Sequence, residues 1–237
     1  MPFEAMLGES FSYDIAFLWF DRLAEGRLVF STEQPPNTYR AVLEARTLGL
    51  AAWLTRDRVQ RYVSVMEMAP DGQMRSLSHE SRIIKGQGEN RKDRIKRYTF
   101  DYQKRQVRYQ RARDGKFYKE EMLPMGEDEF PNDILTAFYN FRAGVFGPFK
   151  AGARYTIPKF GRKGTLEIVV EILPAEKWRG HPFFPPGGLL CRISVDPDVF
   201  DTEGGQVYVW FDDFGRPARG IVENVIGLGD VRGTLRK

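Results

Sequence analysis

Few residues in this chain are placed to do covalent chemistry. His79 and His181 stand about 100 residues apart, and neither has the neighbouring histidine or cysteine that a zinc site uses. Both therefore read as surface or turn histidines. Cys191 alternates with Leu189 and Ile193, the pattern of a thiol buried in an apolar strand face, and nothing beside it in sequence would lower its pKa. No Gly-x-Ser-x-Gly elbow, Walker loop or dinucleotide fingerprint occurs. Gly86-Gln87-Gly88, flanked by Lys85 and Arg91, superficially resembles a phosphate cradle, but it neither follows an apolar strand nor opens a helix, so it reads as a loop. Asp212-Asp213 and the Asp196/Asp198 pair could bind calcium or act as acid and base. Adjacent strand residues point to opposite faces, so turn capping is the better reading. The expectation is a protein that is not an enzyme, with no metal and no cofactor.

Charge is more informative than chemistry. The chain of 237 residues carries 36 Lys+Arg against 32 Asp+Glu, a mild excess. Between residues 82 and 113, however, twelve basic residues stand against three acidic ones, with Tyr98, Phe100, Tyr102 and Tyr109 interleaved. Arg94, Lys96, Arg105 and Arg108 are the candidate basic face. Basic plus aromatic is a pattern of single-stranded nucleic-acid binding, but no recognition-module motif accompanies it. Two strands with one solvated face, or a face for an anionic partner, fit better than nucleic acid.

The elements that must position these residues are strands. Phe11, Tyr13, Ile15, Phe17 and Trp19 alternate with Ser12 and Asp14, the period of a half-buried strand. The same alternation returns from Tyr39, Tyr98, Val107, Leu166, Leu189 and Val207 onward. Pro70-Asp71-Gly72, Arg113-Asp114-Gly115, Glu203-Gly204-Gly205 and Phe214-Gly215 supply residues that accept positive φ between such runs. The spacing predicts a mostly antiparallel meander.

One segment has a different period. Ile134, Leu135, Phe138 and Phe141 are spaced three and four apart, with Asn132 or Asp133 as N-cap and Gly144 as terminator, which predicts a helix over 132–143. Residues 47–55 fit a short helix or a buried strand equally. No repeat or linker divides residues 1–237, so a single β-rich domain is expected, the helix lying between the N-terminal and C-terminal parts of one sheet. The longest apolar runs, 16–20 and 48–54, fall far short of the roughly 18–20 residues a transmembrane helix needs. Met1-Pro2-Phe3-Glu4-Ala5-Met6 has neither the charged nor the apolar region of a leader, which fits a cytoplasmic protein or one whose leader has been removed.

Several segments occur in one order along nearly the whole chain. They are Gly8-Glu9 with the strand from Phe11, the helix from Asp133 to Arg142, Pro186-Gly187-Gly188-Leu189-Leu190-Cys191, Val209 to Pro217, and Ile226-Gly227 followed by Leu235. In this the chain resembles an uncharacterised bacterial exported-protein family, the domain of unknown function numbered 3108. It departs from the family at Thr136, where serine is usual. The resemblance implies a periplasmic or cell-envelope location and no established activity. It is also similar in outline to lipoprotein-localisation factors, whose curved antiparallel sheet or half-barrel closes around an apolar cavity; that likeness is one of fold only. It singles out Asp133 and Arg142, which complement the helix dipole at its two ends and, nine positions apart, must each find another partner.

The functional expectation is a curved β-sheet that binds or shields an apolar, possibly anionic amphiphile such as a lipid or acyl chain. Phe11, Tyr13, Phe17, Trp19, Tyr98, Phe100 and Tyr109 are the candidate lining, and basic side chains at the rim would attract the head group. The alternative is a scaffold that docks another envelope component through its basic strands.

Overall fold

The structure is a computed structural model that describes residues 1–17, 20–49, 52, 56–127, 129–161, 164–194, 206–225 and 229–236. Trp19, Asp196, Asp198, Gly204-Gly205, Ile226-Gly227 and most of 47–55 lie outside them. The strands are β1 (Ser10–Phe17), β2 (Phe20–Glu33), β3 (Thr38–Thr47), β4 (Val59–Met68), β5 (Met74–Lys85), β6 (Lys92–Asp101), β7 (Gln106–Arg113), β8 (Lys116–Pro124), β9 (Arg154–Gly161), β10 (Gly164–Leu173), β11 (Leu189–Ser194), β12 (Val207–Phe211), β13 (Pro217–Val225) and β14 (Gly229–Leu235). A helix, α1 (Ile134–Ala143), separates β8 from β9.

All fourteen strands form one antiparallel sheet, in the order β8-β7-β6-β5-β4-β3-β2-β1-β14-β13-β12-β11-β10-β9. Two meanders, β1 to β8 and β9 to β14, are joined where β1 pairs with β14, Tyr13 opposite Leu235. Hairpin chemistry sets the register where it was expected: Asp114 (φ 50°) and Gly115 (φ 81°) form the tight turn between β7 and β8. This is the curved antiparallel sheet predicted from periodicity, and it is not closed, since β8 and β9 are not hydrogen-bonded to each other.

Curvature follows from where the helix packs. Leu135 and Tyr139 lie against Phe30, Ala41, Tyr62, Met66 and Met74 of β2 to β5. Ala137 and Phe141, on another side of the same helix, lie against Ile157, Ile168, Val170, Ile172, Cys191 and Phe211 of β9 to β12. One helix can touch both wings only if the sheet bends around it. Phe160 of β9 meets Phe100 and Tyr98 of β6 edge-on at 5.9 and 6.4 Å, so the two ends of the sheet approach through side chains. The convex side of the C-terminal wing is covered by residues 174–188, with Trp178 and Phe184 packed on Leu190, Trp210 and Ile221.

The Phe30 and Tyr139 rings stack at 4.1 Å with no exposure to solvent. Phe30→Ala should cost about 3–5 kcal/mol in urea unfolding, the usual cost of deleting a buried ring. The buried Tyr139 hydroxyl has no hydrogen-bond partner among the described residues. Tyr139→Phe should therefore leave stability unchanged or raise it, because an unsatisfied polar group is removed; a clear loss would show that the hydroxyl has an acceptor.

Candidate functional site

The N-terminus of α1 is built on a buried polar cluster. Asp133 caps the helix, its Oδ1 accepting from the backbone N–H of Leu135 and Thr136 at 2.9 and 3.1 Å. The Thr136 hydroxyl donates to the other carboxylate oxygen at 2.7 Å, and Ser76 of β5 accepts from the Asp133 N–H. Ser64 of β4 donates to Asp133 Oδ1 at 2.5 Å. Because that donation uses the only Ser64 hydroxyl proton, the 2.9 Å contact to His79 Nδ1 is one in which the imidazole donates. His79 Nδ1 also lies 3.4 Å from Asp133 Oδ1. The histidine expected at the surface or in a turn is thus buried, because β5 carries it under the helix.

Serine, histidine and aspartate here do not have triad geometry. One imidazole nitrogen faces both partners, the serine gives its proton to the carboxylate instead of the imidazole, and Ser64 has no exposure to solvent. Burial by itself pushes the Asp133 carboxyl up. The hydrogen bond and charge of His79, with the Ser64 and Thr136 hydroxyls, outweigh it and hold the group down at about 2.

Asparagines extend the fastening. Asn140 pairs with both backbone groups of Met74 at 2.8 and 2.9 Å and donates to Asn132. Asn132 in turn bonds the backbone of β9 at Pro158 and Phe160. Through these bonds the helix N-terminus is tied both to β5 and to the end strand β9.

At the other end, Gly144 ends the helix in the left-handed conformation (φ 81°). The buried Arg142 guanidinium makes a two-pronged pair with Glu9 at 2.6 and 2.9 Å and donates to the Gly215 carbonyl at 3.1 Å. Segments that carry the family resemblance thus converge here: Gly8-Glu9, the helix, and the Asp212–Gly215 turn. They border a cleft of about 710 Å³ lined by Arg142, Phe149, Gly188, Phe211 and Asp213 among others. Asp212 does cap the turn, accepting from the N–H groups of Phe214 and Arg216.

The helix divides the concave face into a filled half and an open half, and this corrects the expected lining. Phe11 lies 5.9 Å from the Arg142 guanidinium, and the Tyr13 hydroxyl donates to Pro217. Tyr98 sits against His79, Tyr109 and Phe160, while Phe100 and Tyr109 are buried. These five side chains are occupied by packing beside or near the helix. Phe17 is half-buried on the open half. Cross-strand pairing continues from it as Val231, Val222, Val207 and Ile193 to the helix-packed Val170, an apolar row across six strands. The neighbouring row runs Ile15, Gly233, Gly220, Val209. A Cβ built at Gly233 would meet nothing within 4 Å among the described residues, so the space at Gly233 is open, whereas at Gly220 a Cβ would lie 3.3 Å from the Tyr208 carbonyl oxygen.

Register also separates the basic candidates. Arg94 and Lys96 are on the concave face, the face of Tyr98 and His79, with Arg113 and Arg111 directly opposite them. Arg108 points to the convex face and pairs with Glu120 at 2.8 Å. Arg105 is in the β6–β7 turn, donating to the carbonyls of Gly126 and Glu129. The four do not form one surface, because alternation sends 94 and 96 one way and 108 the other. The Cys191 thiol is buried, as alternation indicated, and burial pushes it up to about 12.

The fold and this geometry can be set beside known proteins. A family model described as "Protein of unknown function (DUF3108)" matches residues 12–236. The chain is similar to the crystal structure of a beta-barrel-like protein of domain of unknown function DUF1849 from Brucella abortus. That likeness has 12% identity and a TM-score of 0.51, covers 98% of this chain and 97% of that one, and bears on the fold alone. No curated protein matches significantly.

Asp133 sets a pH test. Its carboxyl is near 3.9 when unfolded and about 2 when folded, so its contribution is complete above about pH 4 and is lost as pH falls toward 2. Asp133→Ala should cost at least about 2 kcal/mol at pH 7 through the lost cap and orphaned Ser64 and His79. The gap from wild type should narrow between pH 4 and pH 2 in urea titrations. A gap independent of pH would mean that the carboxylate charge contributes nothing.

Proposed function

Because the chain belongs to the DUF3108 family, which is described only as of unknown function, we propose a function from its geometry: a non-enzymatic cell-envelope protein that holds an apolar chain in the open half of its concave sheet. The observation that carries this reading is the half-buried apolar row Phe17, Val231 and Val222, with Ile15 beside it, next to open space at Gly233. Ile15, Phe17, Val222 and Val231 are half-buried and belong to none of the packed clusters of the core. Covering such side chains contributes about 25 cal/mol per Å² of apolar surface. The envelope location rests on the family resemblance.

A second reading, a scaffold that docks a partner at its sheet edge, is favoured by Phe117 and Met122 of β8, both about half exposed. It draws less support from the basic residues, since Arg105 and Arg108 already have partners within the chain.

Gly233 offers a clean test, since its backbone needs no special conformation and a Cβ there meets nothing within 4 Å among the described residues. Gly233→Phe should leave the melting temperature nearly unchanged and fill the trough. Native mass spectrometry and lipid extraction of protein from a bacterial host should find bound amphiphile on the wild type and little on the variant. A wild type free of amphiphile, or equal loading of both proteins, sinks the proposal.

A further inference from the structure

The basic stretch of residues 82–113 is sorted by face. On the convex side and in the turns its cations have acceptors: Arg82 and Arg91 on Asp93, Arg97 on Glu80, Arg108 on Glu120, Lys104 on Asp101 and Arg105 on backbone carbonyls. On the concave side Arg94, Lys96, Arg111 and Arg113 have no carboxylate partner among the described residues. Register sets them in a block, Arg94 opposite Arg113 and Lys96 opposite Arg111. Like charges directly opposite on a sheet repel, and here two such pairs are adjacent. The Lys116 and Lys119 positions continue both rows, and the one acid on this face of β8, Glu121, is engaged by Lys119 at 2.8 Å. The Arg111 and Arg113 guanidinium groups lie 5.7 and 5.9 Å from the Tyr118 ring.

The block shares the concave face with the trough. From Arg94 the cross-strand row runs Ile83, Gln60, Ala45 to Gly26, where a Cβ would lie 3.3 Å from Ile15 Cδ1 at the near end of the trough. We propose that Arg94, Lys96, Arg111 and Arg113 form an oxyanion site for a phosphate group carried on the apolar ligand. Guanidinium forks match phosphate oxygens two at a time, and a phosphate monoester brings close to two negative charges where a carboxylate brings one. A dianion relieves both repelling pairs. This inference rests on the trough reading above, and its test keeps the two apart.

The probes are dodecyl phosphate, dodecanoate, dodecanol and inorganic phosphate, titrated calorimetrically into wild type, an Arg94→Gln/Arg113→Gln variant and Gly233→Phe. Wild type should bind dodecyl phosphate about tenfold or more tighter than dodecanol, with dodecanoate between, and the preference should shrink as salt rises. The double variant should lose the preference while binding dodecanol as before, and should melt no lower than wild type because repulsion has been removed. Equal affinity of wild type for alkyl phosphate and alkanol, both lost in Gly233→Phe, overturns the oxyanion site and leaves the trough. Alkyl phosphate binding that ignores Gly233→Phe overturns the trough. Inorganic phosphate binding as tightly as dodecyl phosphate overturns a chain-linked head group in favour of a free-anion site.

Discussion

Burying a carboxylate and a guanidinium costs several kcal/mol apiece unless their hydrogen-bonding capacity is met, and that requirement governs this fold. Asp133 and Arg142 sit at opposite ends of one helix; the Asp133 carboxylate is met by Ser64 of β4 and by Thr136 of the helix itself, and both terminal nitrogens of Arg142 by Glu9 just before β1, while Arg142 Nε has no partner among the described residues. Ser64 and His79 fix the helix over β4 and β5; Glu9 and the Gly215 carbonyl fix it over the start of β1 and the β12–β13 turn. Apolar contacts alone would let a short helix slide along a curved sheet. Two buried ionic fastenings leave it one position. That position decides which half of the concave face becomes core and which half stays open.

The division organises the rest of the surface. Where the helix lies, aromatic side chains from both wings close over it and the sheet's two ends meet through Phe160. Beyond it, the same face carries an apolar wall on β10 to β14 and β1 and a block of cations on β6 and β7. Opposite faces of a single pair of strands have thus taken different electrostatic roles, one neutralised within the chain and the other left positive.

Much of this architecture was legible from residue types. Alternation from Phe11 and Leu189 gave strands, Asp114-Gly115 gave a hairpin, and the spacing of Ile134 to Phe141 with Asp133 and Gly144 gave the helix within two residues of its observed start. Arg142 could be assigned a structural partner in general terms, but Glu9 could not be chosen from the chain's acids. His79 was misread for the same reason: its burial depends on β5 passing beneath a helix that begins over fifty residues later. Alternation likewise put Tyr98 and Tyr109 on one face without showing that the helix-bearing half of that face was full. The split of Arg94 and Lys96 from Arg108 follows from strand period, yet the pairing of like charges needs the register.

The pairing of β1 with β14 also bears on how the molecule assembles. Tyr13 and Leu235 are neighbours in the sheet but lie nearly the whole chain apart, so the seam uniting the wings is among the most non-local contacts the fold contains. Loop-closure entropy opposes such contacts, and topologies rich in them fold slowly. The first meander can form hairpin by hairpin as it is synthesised, while the free edge of β1 waits for the last strand. Until then an unpaired strand with Tyr13, Ile15 and Phe17 on one side is a template for pairing with another chain. Assembly of this protein is therefore a race between its own last hairpin and a neighbour's.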